Sequence, residues 1–393
     1  MREAYIISGV RTPIGSFGGA LAAMSAPELG AVALGAAVER AGVTVEAVEQ
    51  VIMGNVLAAG LGQAPARQAG LGAGIPHGHG ALTVNKVCGS GLMAVVLAAQ
   101  AIRLGEAEVI TAGGMESMTR APYLLPRARH GHRLGPGPLV DAMILDGLWD
   151  PYNDFHMGNA AERCARAHAV TRAAQDAYAV ESYRRAQAAD ATGRFRAEIV
   201  AVDVPGRSGE RLRVDADEEP GRVDFARIAT LAPSFEPAGT ITAANASTLA
   251  DGAAALVVAS PDAVRTHGLT PRARIIASAA AGRAPAEFPL APVDATRAVL
   301  ARAGLAVADI DLFEVNEAFA IVVLATIAGL DLDPARVNVH GGAIALGHPI
   351  GASGARVLVT LLSALEQRDL SRGLATLCLG GGEAVAMVID RRV

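Results

Sequence analysis

Two cysteines and a histidine in this sequence stand in glycine-rich turns, where a side chain is bared and the backbone can approach a ligand. Cys88 opens Cys88-Gly89-Ser90-Gly91, after a β-type run at residues 81–87 and directly before an apolar helical stretch. A thiol at a helix N-terminus faces unpaired N–H groups and the positive end of the dipole, which favour the thiolate. Cys88 is therefore expected to be a nucleophile with a depressed pKa. Most free cysteines are small buried hydrophobes, and Cys164, inside an apparent helix at residues 160–169, is assigned to that class. His348 lies between Gly347 and Pro349; it can take a proton from a thiol or pair with the thiolate, or simply cap a backbone carbonyl. Cys378 opens Cys378-Leu379-Gly380-Gly381-Gly382-Glu383 at the end of a strand. A disulfide would not need three glycines there, which suggest N–H groups aimed at a substrate oxygen. Asn316, in Asn316-Glu317-Ala318-Phe319-Ala320, offers an amide that can hold a water or an oxyanion. His77 and His79 could ligate a metal, but nothing supplies further ligands, so no metal is expected.

The elements that must position these groups have readable boundaries. Ser25 with Glu28 is a capping-box pattern, and Gly42 follows the apolar periodicity that ends at Ala41. A second helix at residues 92–104 stops at Gly105; a third starts near Thr171 and ends before Gly193. Short β-rich runs at residues 4–8, 51–53, 109–112, 255–259 and 384–389 alternate with them, which predicts an α/β fold with mostly parallel strands. An internal echo reinforces this. Cys88-Gly89-Ser90-Gly91, an apolar helix and Val109-Ile110-Thr111-Ala112-Gly113-Gly114 resemble Gly351-Ala352-Ser353-Gly354, another apolar helix and Thr376-Leu377-Cys378-Leu379-Gly380-Gly381. Two copies of one unit would bring their glycine turns to equivalent sheet ends, where open α/β folds build sites. Residues 118–246 break the pattern with Pro122, Pro126, Pro136, Pro138 and Pro151 and carry Arg127, Arg129, His130, His132 and Arg133. They read as an insertion, its cations either solvated or functional.

Composition bounds the function. At 393 residues the chain holds two or three lobes. Hydrophobic residues make up 51% but aromatics only 4%, so the core is built from small side chains in close approach. A net charge of -5 disfavours a nucleic-acid binder. The apolar stretches at residues 92–102 and 319–330 fall short of the ~20 residues a membrane span needs. No secretory signal is apparent and three cysteines make no disulfide framework, so a cytoplasmic location is expected.

The chain resembles the thiolase family along its whole length. The resemblance is carried by Arg11-Thr12-Pro13-Ile14-Gly15, Asn85-Lys86-Val87-Cys88-Gly89-Ser90-Gly91, Gly113-Gly114-Met115-Glu116-Ser117-Met118 and Ala121-Pro122-Tyr123-Leu124-Leu125. It continues through His156-Met157-Gly158, Asn245-Ala246-Ser247, Asp251-Gly252-Ala253-Ala254, Asn316-Glu317-Ala318-Phe319-Ala320, Gly347-His348-Pro349-Ile350-Gly351 and Cys378-Leu379-Gly380-Gly381-Gly382. The resemblance implies two repeated halves in a layered α/β/α/β/α core: residues 1–118 with 247–270, and residues 271–393. An inserted loop domain at residues 119–246 would bind coenzyme A and tetramerise the enzyme.

It further implies acyl transfer with coenzyme A and acyl-CoA as substrates and no tightly bound cofactor. Cys88 would carry the acyl group, His348 would activate it, and Cys378 would move the proton at carbon. His348 with a water on Asn316 would form one oxyanion hole, and the N–H groups of Cys88 and Gly380 the other. His156 and Ser247 would meet the pantetheine in a tunnel lined by Met157, Phe235, Ala243, Ala318 and Phe319. Phe288 falls about where short-chain relatives often have Met beside the acyl group. His156-Met157 favours the short-chain, acetoacetyl-CoA branch over a broad-range 3-ketoacyl-CoA thiolase of β-oxidation. A non-catalytic binder would not need Cys88, Asn316, His348 and Cys378 together, and a decarboxylating ketosynthase typically has a second histidine in place of Cys378. The chain departs from the family pattern at Asp217-Glu218-Glu219-Pro220-Gly221-Arg222, which leaves open the residue that meets the nucleotide, and at Ala250, where relatives often have Asn.

Overall fold

A computed structural model describes residues 2–206 and 209–393. Ten strands form one mixed sheet: β1 (Tyr5–Arg11), β2 (Gly15–Ser16), β3 (Gln50–Gly54), β4 (Gly80–Val84), β5 (Val109–Ser117), β6 (Ala250–Ala259), β7 (Ala273–Gly282), β8 (Leu312–Val315), β9 (Arg372–Leu379) and β10 (Glu383–Asp390). The order is β8-β9-β10-β7-β1-β6-β5-β3-β4, with β2 paired to β6. β1 stitches the halves together: its length runs against β6, while only Tyr5 and Ile6 pair with β7.

The expectation of mostly parallel strands is corrected. Among the described strand pairs of this sheet only β3/β4, β3/β5 and β8/β9 run parallel. Helical crossovers force parallel pairs, but β9 returns into β10 through the short Gly380–Gly382 turn, a hairpin connection that must be antiparallel. β5 pairs antiparallel with β6, which arrives only after the long insertion.

The echo is a structural repeat. The helix after Cys88, Ser90–Leu104, leads into β5, and the helix after His348, Ile350–Gln367, leads into β9. Among the described residues the longer helices, in chain order, are α1 (Ala26–Ala41), α2 (Ser90–Leu104), α3 (Met157–Ala167), α4 (Arg172–Ala191), α5 (Ala291–Ala303), α6 (Ala320–Leu330) and α7 (Ile350–Gln367). α2 and α7 pack together inside one core with strands of both halves. The approach requires glycine: a Cβ on Gly91 would lie 2.8 Å from the Ala355 nitrogen, and one on Gly354 only 2.3 Å from the Leu92 nitrogen. Leu92, Val95, Ile102, Leu358, Leu361, Leu362 and Leu365 are wholly buried there, each contributing about 1.5–3 kcal/mol. By length and composition residues 87–104 could cross a membrane, but this apolarity serves the sandwiched position of α2.

α1 starts at the Ser25–Glu28 capping box and ends at Gly42 in the left-handed region, as the sequence predicts. α4 likewise starts behind Thr171, whose side chain accepts from the Ala174 N–H. The insertion is tied down by buried charge. Arg11 on β1 grips Asp217 with both terminal nitrogens, at 2.6 and 2.8 Å, and Glu198 through Nε at 2.6 Å, a bidentate arrangement among the stronger side-chain contacts.

Candidate active site

Both glycine turns and the α7 N-terminus converge on a cavity of about 510 Å³. Its wall includes Cys88, His348, Cys378 and Gly380 together with His156, Met157, Phe235, Ala243, Ser247, Phe288, Ala318 and Phe319. Every residue assigned to the site from the sequence reaches the wall except Asn316, whose amide instead approaches His348 Nε2.

Cys88 precedes α2 by two residues rather than occupying its first turn, and Val87 before it has φ of 46°, an outlier for a β-branched residue. This sharp bend presents the sulfur to the cavity. The turn is clamped from both repeats. Ser90 Oγ accepts the Lys86 N–H at 2.8 Å and donates to the Val87 carbonyl at 2.6 Å, while Lys86 Nζ pairs with Glu383 beyond the opposite glycine turn.

The expected thiolate is not the resting state. Burial pushes the Cys88 thiol up to about 11, although the N–H groups of Gly380 and of Cys88 itself hydrogen-bond its sulfur and favour the anion. Desolvation outweighs two neutral donors and a helix dipole that begins farther along the chain. Cys378 is buried more deeply, and desolvation together with neighbouring Cys88 holds its thiol well above the usual range. Both cysteines are free. Cys378 is shut off from solvent and Cys88 is only partly exposed, which favours proton transfer between neutral partners over a standing ion pair.

His348 is the complementary neutral base. Its Nδ1 lies 2.6 Å from Ser353 Oγ, and that hydroxyl donates to the Pro349 carbonyl at 3.0 Å. A hydroxyl has one proton, so Ser353 accepts from Nδ1–H and leaves Nε2 as the basic nitrogen. Burial, with the Arg356 charge second, lowers the His348 pKa to about 3. Asn316 Nδ2 faces Nε2 at 3.5 Å. Sequence reading gave Ser353 no role; its signal was its place opposite Ser90 in the repeat.

Glu116 at the end of β5 is a second residue whose part the sequence does not announce. Its carboxylate accepts from Asn55 Nδ2 at 2.7 Å and from the N–H groups of Val56, Leu57 and Gly351 at 3.0, 3.3 and 3.0 Å. It thereby fastens the α7 N-terminus, three residues past His348, to the other repeat. Glu317 does similar work behind Asn316, accepting from Tyr178, Ser182, Asn338 and the Ile344 N–H.

Along the tunnel, His156 stacks on Phe235 with ring centroids 4.8 Å apart, and Phe319 meets Phe235 and Phe288 edge-on at 6.0 and 6.2 Å. His156 Nδ1 accepts the Gly158 N–H at 3.0 Å, and burial lowers its pKa. The proton of the neutral ring is thus on Nε2, which becomes a donor. Ser247 Oγ donates to the Ala318 carbonyl at 3.0 Å and retains acceptor capacity.

In the departing acidic segment, Asp217 is spent on Arg11 and Glu218 on the Ser16 and Ala20 N–H groups, whereas Glu219 and Arg222 reach the cavity wall. The glycine requirement at the Cys378 turn is met at Gly381 and Gly382, with φ of 86° and 85°. Gly380 keeps ordinary geometry and contributes its N–H. Cys164 is buried in α3. Among the described residues no three His, Cys, Asp or Glu side chains gather to hold a metal ion.

Comparison with known proteins is consistent along the whole chain. Residues 4–262 match the thiolase N-terminal domain and residues 269–391 the thiolase C-terminal domain. The sequence is 51% identical to an acetyl-CoA acetyltransferase of Cupriavidus necator and 53% identical to one of Escherichia coli, each over 100% of both chains. A crystal structure of a thiolase from Ascaris suum in complex with coenzyme A superposes with a TM-score of 0.94 at 45% identity, covering 99% of this chain and 100% of that one. Repeated fold, paired glycine turns and sequence agree: this chain belongs to the thiolase family.

Proposed function

We propose that the protein is an acetyl-CoA acetyltransferase, interconverting two acetyl-CoA with acetoacetyl-CoA and free CoA. The observation that carries this is the meeting of two thiols, a tautomer-fixed imidazole and backbone N–H groups on the wall of one cavity. Cys88 attacks the thioester carbon as its proton passes to His348 Nε2, the Cys88–acyl bond forms as the bond to the CoA sulfur breaks, and the CoA thiolate leaves with that same proton, returning His348 to the neutral form. Cys378 gives its own proton to His348 Nε2 and, as the thiolate, removes a methyl proton from the second acetyl-CoA; the resulting carbanion displaces Cys88 to form the carbon–carbon bond, and Cys88 recovers its proton from His348. The Cys88 and Gly380 N–H groups serve the acyl oxygen on Cys88; His348 and a water on Asn316 serve the oxygen of the second thioester. We assign His156 Nε2–H and Ser247 to the pantetheine amides, and Arg222, an exposed cation on the cavity wall, to the phosphates of CoA.

Chain length separates this reading from the broad-range one. Phe288 is almost wholly buried against Phe319 and lines the cavity together with Met157. Forcing extra methylenes into a filled pocket costs roughly 1–3 kcal/mol. The kcat/KM for thiolysis is expected to fall at least about tenfold, or ~1.4 kcal/mol, between the four-carbon and eight-carbon 3-ketoacyl-CoA, and Phe288→Ala to narrow that gap. A flat or rising profile selects the broad-range enzyme.

The assembly we propose is a homotetramer, supported by the insertion's exposed apolar side chains. Leu134 is 98% exposed, and Tyr123, Leu125 and Leu139 also face solvent around the hairpin pairing Tyr123 and Leu124 with Asp141 and Val140. Sedimentation of a variant lacking residues 121–135 should show dimers where the parent shows tetramers. Equal masses would remove this loop from the interface.

A further inference from the structure

A side-chain amide is a donor at one end and an acceptor at the other, and only Nδ2 of Asn316 can help stabilise a developing negative oxygen. Its backbone N–H bonds the Thr376 carbonyl at 3.0 Å, which holds the main chain but leaves the amide free to turn over. At the Nδ2 end the amide has only the long 3.5 Å approach to His348 Nε2; at the other end Arg356 on α7 donates from Nη2 to Asn316 Oδ1 at 3.3 Å. Arg356 is only 2% exposed, and its Nε and Nη1 have no hydrogen-bond partner among the described residues. Its counter-ion Glu314, also buried, stands 3.6 Å away with both carboxylate oxygens unbonded. A guanidinium carries five N–H donors, and buried polar groups are normally satisfied; this one makes its hydrogen bond to Asn316.

We propose that Arg356 is a positioning residue that fixes the Asn316 amide with Nδ2 toward His348 and the substrate oxygen. Because a guanidinium can donate but never accept, it tolerates Oδ1 and rejects Nδ2, so the amide has one orientation. Without it, the flipped amide would turn a carbonyl oxygen toward the developing charge. The residue acts through Asn316 and touches no substrate. The inference rests on the transferase reading above.

Arg356→Met, Arg356→Lys and the double variant Glu314→Gln/Arg356→Met, each in the full chain, test it; the double removes the stranded carboxylate that could unfold the single. Thiolysis kcat should fall about thirty- to a hundredfold in both Met variants, below the loss from deleting an oxyanion donor outright. KM for CoA should stay within about twofold, and acetylation of Cys88 by acetyl-CoA, which uses the other oxyanion hole, within about threefold. Arg356→Lys, a shorter donor-only side chain, should recover most of kcat. Parent-like kcat in the double variant overturns the proposal. So does a loss shared equally by acetylation, KM and thermal midpoint, or a Lys variant no better than Met. A parent enzyme that neither acetylates Cys88 nor performs thiolysis would defeat the transferase reading itself, a failure visible before any variant is made.

Discussion

Replacing His348 by Ala should lower acetyl transfer by at least about ten-thousandfold, because one imidazole supplies both the base for Cys88 and an oxyanion donor, effects of about 10²–10⁴ and 10²–10³ that do not add fully. The resting pair is thiol and imidazole: burial lifts Cys88 to about 11 and lowers His348 to about 3. A base with a lowered pKa is lost only when pH falls through that lowered value, and a thiol with a raised pKa ionises only above it. The rate of Cys88 acetylation should therefore stay level from roughly pH 5 to 9. A thiolate–imidazolium pair would instead show an acid limb near the ordinary histidine range, and a bell centred near neutrality would count against the neutral pair. Ser353→Ala frees the Nδ1 proton that fixes the tautomer and should cost about tenfold in the same assay, ~1.4 kcal/mol.

Cys378→Ala should separate the two halves of the reaction. Thiolysis and condensation should drop about a thousandfold or more, since no other acid or base is assigned to the reacting carbon, while Cys88 is still acetylated within a fewfold of the parent rate. The variant should fold, because losing one buried sulfur costs only about 1 kcal/mol. Rapid-quench measurement of acetyl-enzyme beside steady-state thiolysis gives both numbers. Equal loss of both would mean that the cysteines do not divide the chemistry.

Glycine made the reacting groups legible in the sequence: Cys88, His348 and Cys378 sit in turns whose glycines have no use in an ordinary core. The repeat was visible for the same reason, since Gly91 and Gly354 are where α2 and α7 touch. Strand direction was not legible, because β-rich runs carry no mark of whether the connection between them is a crossover or a hairpin. The acidity of Cys88 was misjudged because its position relative to α2 suggested activation, while desolvation depends on what distant segments stack over it. Ser353, Glu116 and Arg356 escaped notice since each works by meeting a partner remote in sequence or by filling a lone pair. No spacing rule in one chain encodes such meetings.

The central claim is that Cys88 carries the acyl group between neutral partners while Cys378 serves the carbon. Its most direct test is peptide mass mapping of the Cys378→Ala enzyme, quenched in acid after incubation with acetyl-CoA alone. One acetyl group per chain on the peptide containing Cys88 is the predicted result. An unlabelled Cys88, or label found on Cys164 instead, would contradict it.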